Sequence, residues 1–182
     1  MDYTNLKERM EKSIGAFKEK LSEIRAGRAN PAILNKVKID YYGTPTPINQ
    51  VAGVSLPEAR LIVIQPWDVS VLKDIEKAIL ASDIGLNPNN DGKVIRLAFP
   101  ELTEERRKEL AKEIRKIAEE AKVAIRAIRR DGIDEAKAKQ KNSEITEDEL
   151  KSAETEIQKI TDKYIDEIDK ILADKEKEII SV

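Results

Sequence analysis

Apolar positions recur at steps of three and four along the first stretch of the chain: Leu6, Met10, Ile14, Phe17, Leu21 and Ile24. That spacing sets them on one face of an amphipathic helix. The helix is predicted to stop near Gly27, and Asn30-Pro31 enforces the exit, because a residue before proline is pushed out of the α region. The same period returns after Thr103, with Leu110, Ile114, Ile117, Ala121, Ile125 and Ile128 as a seam that runs on to residue 141. A helix of that length spans on the order of 55 Å. Thr146-Glu147-Asp148-Glu149 then reads as a capping box, and Leu150, Ala153, Ile157, Ile160, Tyr164, Ile168 and Ile171 mark a third long helix. Three such helices bury their seams by forming a three-helix bundle.

The segment 30–102 breaks this pattern and holds all seven prolines. Strand-like pieces fall at 36–42, 50–55, 61–65 and 93–99, punctuated by Tyr42-Gly43-Thr44-Pro45 and Asn90-Asp91-Gly92. Between them Val71, Leu72, Ile75, Ile79 and Leu80 define one short amphipathic helix, with Asp68 or Ser70 as its N-cap. The expected fold is α+β in two domains: a bundle built from 1–29 and 103–182, with a small βαβ-like α+β domain, 30–102, inserted in it. Two tethers, 27–30 and 100–103, would act as a hinge, with Gly27, Ala29, Asn30, Glu101, Leu102 and Thr103 as its residues.

Composition narrows the function. Charged residues make up 37% of the chain, against an average of about 25%. With no Cys there is no disulfide, thiolate nucleophile or Cys-based zinc site. With no His there is no imidazole ligand, no Ser-His-Asp triad and no ordinary base titrating near neutral pH. We therefore expect no catalytic residues, no metal and no cofactor. The longest aliphatic run, Leu61-Ile62-Val63-Ile64, is far short of a membrane span, and Met1-Asp2-Tyr3-Thr4 has no signal-segment character. A cytoplasmic protein without a membrane partner is expected.

The formal net charge of −2 hides an asymmetry. Residues 1–29 carry seven basic and five acidic side chains, residues 103–141 thirteen and nine, and residues 142–182 six and thirteen. On the second long helix Lys108, Lys112, Arg115, Lys122, Arg126, Arg129, Arg130 and Lys137 form a stripe on the side away from the seam. Such a stripe is either a solvated face held by intrahelical ion pairs or a surface for an anion. Pairing within the helix is poor, since Lys122–Arg126, Arg126–Arg129 and Arg126–Arg130 are like-charge neighbours costing a few tenths of a kcal/mol each. Only Arg130–Asp134 and Glu119–Lys122 offer relief. Arginine also suits phosphate, because its planar fork meets two oxygens at once. The balance favours an anionic partner, nucleic acid above all. Arg25 and Arg28, at the end of the first helix, make a second patch or extend the first into a long track, though Arg25 taken alone is equally an ordinary C-terminal cation favoured by the helix dipole.

Other signals fail. The stretch from Gly85 to Lys93 has the wrong glycine spacing for a phosphate loop, and Val94 stands where Ser or Thr would hold magnesium. Trp67 and Tyr41-Tyr42 fit core or hinge packing more readily than a binding surface.

Longer motifs carry a resemblance. Ile24-Arg25-Ala26-Gly27-Arg28-Ala29-Asn30-Pro31, Asp40-Tyr41-Tyr42-Gly43-Thr44-Pro45-Thr46-Pro47, Ala81-Ser82-Asp83-Ile84-Gly85-Leu86-Asn87-Pro88, Leu102-Thr103-Glu104-Glu105-Arg106-Arg107 and Arg126-Ala127-Ile128-Arg129-Arg130-Asp131 stand in order along the whole chain. In these the chain resembles the bacterial ribosome recycling factor family. The resemblance implies an L-shaped monomer that binds between the ribosomal subunits after termination, its bundle on large-subunit rRNA. With elongation factor G, whose GTP hydrolysis supplies the energy, such a factor splits the post-termination ribosome into subunits. The family's RNA-contacting arginines fall on Arg126, Arg129 and Arg130, with Arg25 and Arg28 at another contact; Lys122 joins them from the stripe. Gly132-Ile133 departs from the family's pattern, and implies a missing polar contact at Ile133 and a helix loosened at Gly132. Two other readings remain: a scaffold whose bundle binds a further helix, and a carboxylate enzyme with paired acids in a deep pocket.

Overall fold

The computed structural model describes residues 1–24 and 27–180. In chain order the elements are α1 (Thr4–Glu23), β1 (Lys38–Tyr41), β2 (Thr44–Pro47), β3 (Ala52–Glu58), β4 (Leu61–Pro66), α2 (Leu72–Leu80), β5 (Pro88–Asn90), β6 (Ile95–Ala98), α3 (Glu104–Lys141) and α4 (Glu147–Ile180). They pack as two compact units, one of them Gly27–Leu102 and the other made from the helices on either side of it.

The helical unit is built on the three seams. Leu6, Met10, Ile14, Phe17 and Leu21 of α1 are buried. So are Leu110, Ile114, Ala118, Ile125, Ile128, Gly132 and Ala136 of α3, and Ala153, Ile157, Ile160, Thr161, Tyr164 and Ile168 of α4. Ile117 and Ala121, expected in the seam, are only half-buried. They line a shallow groove where Ala16, Ala121 and Ala124 leave the space between α1 and α3 unfilled. Cross-helix pairs give the directions. Arg9–Asp131 and Lys20–Glu120 run α1 antiparallel to α3, and Arg115–Glu176 and Lys122–Asp169 run α3 antiparallel to α4. The buried hydroxyl of Thr161 donates to the Ile157 carbonyl one turn back, at 2.7 Å, so it is not left unsatisfied. Tyr164 donates to Glu11 at 3.1 Å, and burial pushes its pKa up.

The ends of the helices follow their sequence. The Thr146 hydroxyl accepts from the Glu149 amide at 3.1 Å, and the Glu149 carboxylate accepts from the Thr146 amide at 2.7 Å. This is the reciprocal box expected there. Thr103 caps α3 by accepting from the Arg106 amide at 3.1 Å.

At Gly132 α3 runs on unbroken. This residue is buried in the seam, and a Cβ on it would lie 2.8 Å from Leu6 Cδ1 and 3.5 Å from Ile157 Cδ1. The glycine lets the side chains of α1 and α4 reach the α3 backbone.

The inserted unit has two antiparallel sheets, β1-β2 and β3-β4-β6-β5. Strand, helix and strand do follow one another as in a βαβ unit, but β4 and β6 pair antiparallel, so no parallel crossover forms. The core holds Ile39, Ile62, Ile64, Ile75, Ile79, Ile95 and Leu97. Strands β2 and β5 were not expected, because both carry proline. Pro45 and Pro47 sit in a two-stranded hairpin, and Pro88 opens an edge strand, places that need no amide donor. The β1-β2 turn has both central residues at positive φ, Tyr42 at 50° and Gly43 at 80°. Two such residues make the tight turn that suits twisted strands.

The tether residues are mostly anchored. The Ala29 side chain is buried in the inserted core and its amide donates to the Ala59 carbonyl at 2.8 Å. The Asn30 side chain accepts from the Ala32 amide and caps the 3-10 turn Pro31–Lys36. Glu101 pairs with Arg60 at 2.6 Å, and Thr103 belongs to α3. Gly27 has φ 74°, a left-handed conformation that glycine adopts without strain.

Candidate nucleic-acid interface

The basic residues of α3 divide into two sets once α4 is in place. Arg115, Lys122 and Arg129 are seven residues apart, so they recur on the same edge of the helix, and that edge faces α4. Arg115 Nε meets Glu176 Oε1 at 2.6 Å, and Lys122 Nζ meets Asp169 Oδ1 at 2.5 Å. Arg129 Nε donates to Gln158 Oε1 at 2.6 Å, and Gln158 in turn donates to Asp162 Oδ1 at 2.7 Å. The acidic residues at 162, 169 and 176 carry the matching seven-residue repeat. The acidic third helix therefore turns part of its charge toward the stripe.

The second set points to solvent. Lys108, Lys112, Arg126, Arg130 and Lys137 are exposed. Arg126 reaches Glu119 two turns back at 3.0 Å, with both side chains half exposed. Such a pair is worth about 0–1 kcal/mol and yields readily to a stronger anion. Arg130 has no ion-pair partner among the described residues; the pair with Asp134 read from spacing does not form. Nor does Glu119–Lys122, because Lys122 is held by Asp169 and Glu119 by Arg126.

The expected site residues are thus partly brought together. Arg126, Arg129 and Arg130 lie within five residues of one long helix, and Lys122 lies one turn away with its charge engaged and its side chain only 19% exposed. Arg28 is exposed on the inserted unit. Arg25 lies outside the described residues. Ile133 is half-buried at the margin of the stripe. Spacing alone missed the contact with Gln158, an uncharged residue on another helix that meets Arg129 only through the α3–α4 register.

Trp67 and Tyr42, expected in core or hinge packing, are 71% and 86% exposed. Trp67 follows β4 at the sheet's end, and Tyr42 sits at the tip of a turn, so neither faces the core. The Gly85-to-Lys93 stretch forms β5 and a tight turn in which Asp91 accepts from the Lys93 and Val94 amides and from Arg96. Its glycine-flanked amides are thereby used locally. Among the described residues no group of carboxylates is arranged to hold a metal, and no helix is long and apolar enough to cross a membrane.

Comparison with known proteins agrees over the whole chain. A family model described as ribosome recycling factor matches residues 17–180. The ribosome-recycling factor of Acetivibrio thermocellus is 64% identical over 181 residues, 100% of this chain and 99% of that one. That of Caldicellulosiruptor bescii is 65% identical over 175 residues, 96% of this chain and 95% of the other. The solution structure of a ribosome recycling factor, 43% identical, matches with a TM-score of 0.69 over 99% of this chain and 96% of its own. A second match has a TM-score of 0.59 at 48% identity, over 97% and 96%. It comes from models of the T. thermophilus ribosome recycling factor and the E. coli elongation factor G bound to the E. coli post-termination complex. Likeness of this extent marks a translation factor, not an enzyme. The chain belongs to the ribosome recycling factor family.

Proposed function

We propose that the chain acts with elongation factor G on the post-termination ribosome and, as that partner hydrolyses GTP, dissociates it into subunits for reuse. The helical unit docks on large-subunit rRNA through the exposed face of α3. The observation that carries this is the cluster of Arg126, Arg129 and Arg130 on one rigid helix, with Arg130 unpaired among the described residues. Guanidinium groups fixed on a helix contact phosphates in a set register without reading bases, which suits a factor that must bind one RNA shape. Lys122 contributes at the margin, and Arg25 and Arg28 are assigned to the second contact.

The inserted unit pivots on the tethers. With Ala29 and Asn30 held in the inserted unit and Thr103 capping α3, the pivot falls to Gly27, Glu101 and Leu102, and the push of elongation factor G on one unit is resisted by the other held on RNA. No step needs chemistry from the chain itself, in keeping with the absence of His and Cys.

A scaffold reading would need a second apolar face on the bundle. Among the described residues the large apolar side chains exposed there, Met1, Val123 and Ile180, lie in three separate stretches. Co-sedimentation with large ribosomal subunits over a salt series tests the docking. Arg130→Glu should weaken binding by at least about tenfold and lower the salt slope. Binding unchanged by this substitution would exclude the α3 face.

A further inference from the structure

We infer that Gln158 of α4 is a positioning residue for RNA binding: it orients the Arg129 guanidinium without neutralising it. The inference rests on the docking surface proposed above and names what tunes it.

The α3–α4 edge repeats one arrangement three times, with a basic residue on α3 facing an acceptor on α4. At two levels the acceptor is a carboxylate, Glu176 for Arg115 and Asp169 for Lys122, and the cation's charge is cancelled where it stands. At the third level the acceptor is an amide. Gln158 Oε1 takes the Arg129 Nε–H at 2.6 Å, and Arg129 has no carboxylate partner among the described residues.

The contact uses Nε alone. The paired Nη groups, which form the fork that grips phosphate, have no partner among the described residues. Gln158 is itself fixed, because its Nε2–H donates to Asp162 Oδ1 at 2.7 Å. That bond sets which end of the amide faces Arg129. Asp162 supplies a carboxylate to hold the clamp, one side chain removed from the cation. Arg129 is half-buried, so its stem is already ordered before any anion arrives. An amide clamp therefore leaves the positive charge beside Arg130 and Arg126 intact, at the level of the edge that directly precedes Arg130.

Two substitutions separate charge from positioning. Gln158→Glu keeps the acceptor and adds a charge, so Arg129 becomes an ion pair like its neighbours. Gln158→Met keeps the length, removes the acceptor and adds no charge. Binding of the full chain to large ribosomal subunits is measured over a salt series, with Arg130→Glu as the control for the surface and thermal melts for each variant. Gln158→Glu should weaken binding roughly tenfold and lower the slope of log K against log salt by about one contact's worth, 0.7–0.9. Gln158→Met should weaken binding about threefold with the slope unchanged, because ordering is lost and charge is not. Wild-type binding by Gln158→Glu, with Arg130→Glu impaired, overturns the inference and leaves the surface standing. Wild-type binding by Arg130→Glu overturns the surface and the inference with it. A binding loss in Gln158→Glu that merely tracks a lowered melting temperature also overturns it, since that is the mark of a structural role.

Discussion

The meeting of Leu6, Gly132 and Ile157 gives the sharpest test of how the bundle is packed. Ile157 is fully buried, and Ile157→Ala removes three carbons, worth about 2.4 kcal/mol at about 0.8 kcal/mol each. The cavity left behind raises the loss to about 3–4 kcal/mol. Gly132→Ala acts in two opposing ways. It gains about 1 kcal/mol of helix propensity. It also places a Cβ 2.8 Å from Leu6 Cδ1, so the Leu6 side chain must move. In the wild-type seam these nearly offset. In the Ile157→Ala background the vacated space lies beside the same glycine, since Ile157 Cδ1 is 3.5 Å from that Cβ position. There the new methyl fills space and Leu6 has room to turn. The two substitutions should couple favourably by at least about 0.5 kcal/mol. Urea unfolding followed by circular dichroism at 222 nm, a signal dominated by α1, α3 and α4, measures the four corners of the cycle. Additivity within error would show that Leu6, Gly132 and Ile157 do not share one packing site.

Three further outcomes are expected. Thr146→Ala should cost about 1 kcal/mol, because the first turn of α4 loses the hydroxyl that accepts from the Glu149 amide; an unchanged urea midpoint would contradict the cap. The Glu149 carboxyl, held down by the Thr146 amide and then its hydroxyl, should titrate by NMR below the ordinary value of about 4.3. Its depressed folded pKa means its stabilisation is present above that value and lost as pH falls through the lower one, so a midpoint at or above 4.3 would refute the box. Lys122→Ala should weaken ribosome binding less than Arg130→Ala, because Asp169 already holds the Lys122 charge; equal losses in co-sedimentation would show that both cations reach RNA.

Much of the fold was legible because long helices announce themselves. Each seam repeated over several turns, and the Thr146–Glu149 box is a local rule that tertiary context did not override; α1, by contrast, ends at Glu23 with Ile24 already extended, short of the stop expected near Gly27 and of the Asn30-Pro31 exit. What was not legible depended on pairing across sequence. Pro88-Asn89-Asn90 has almost no strand propensity and becomes β5 only because β6 pairs with it. Gly132 read as a weak point in a helix, and the side chain that packs against it, Leu6, is far away in sequence. The candidate surface shows the same division. The stripe on α3 was visible as a period of three and four. Its split into cancelled and open charges was not, since that is decided by which α4 residue stands opposite. Arg130–Asp134 had the right spacing for a pair, yet Arg130 has no ion-pair partner among the described residues.

Splitting of post-termination ribosomes tests the account most directly. Complexes carrying mRNA and deacylated tRNA are mixed with the chain, elongation factor G and GTP, and free subunits are followed by light scattering. Dissociation is expected only when chain, partner and GTP are all present, and it should slow with Arg130→Glu at a concentration near the wild type's half-saturation. Dissociation by elongation factor G alone at the same rate, or full activity of Arg130→Glu, would contradict the account.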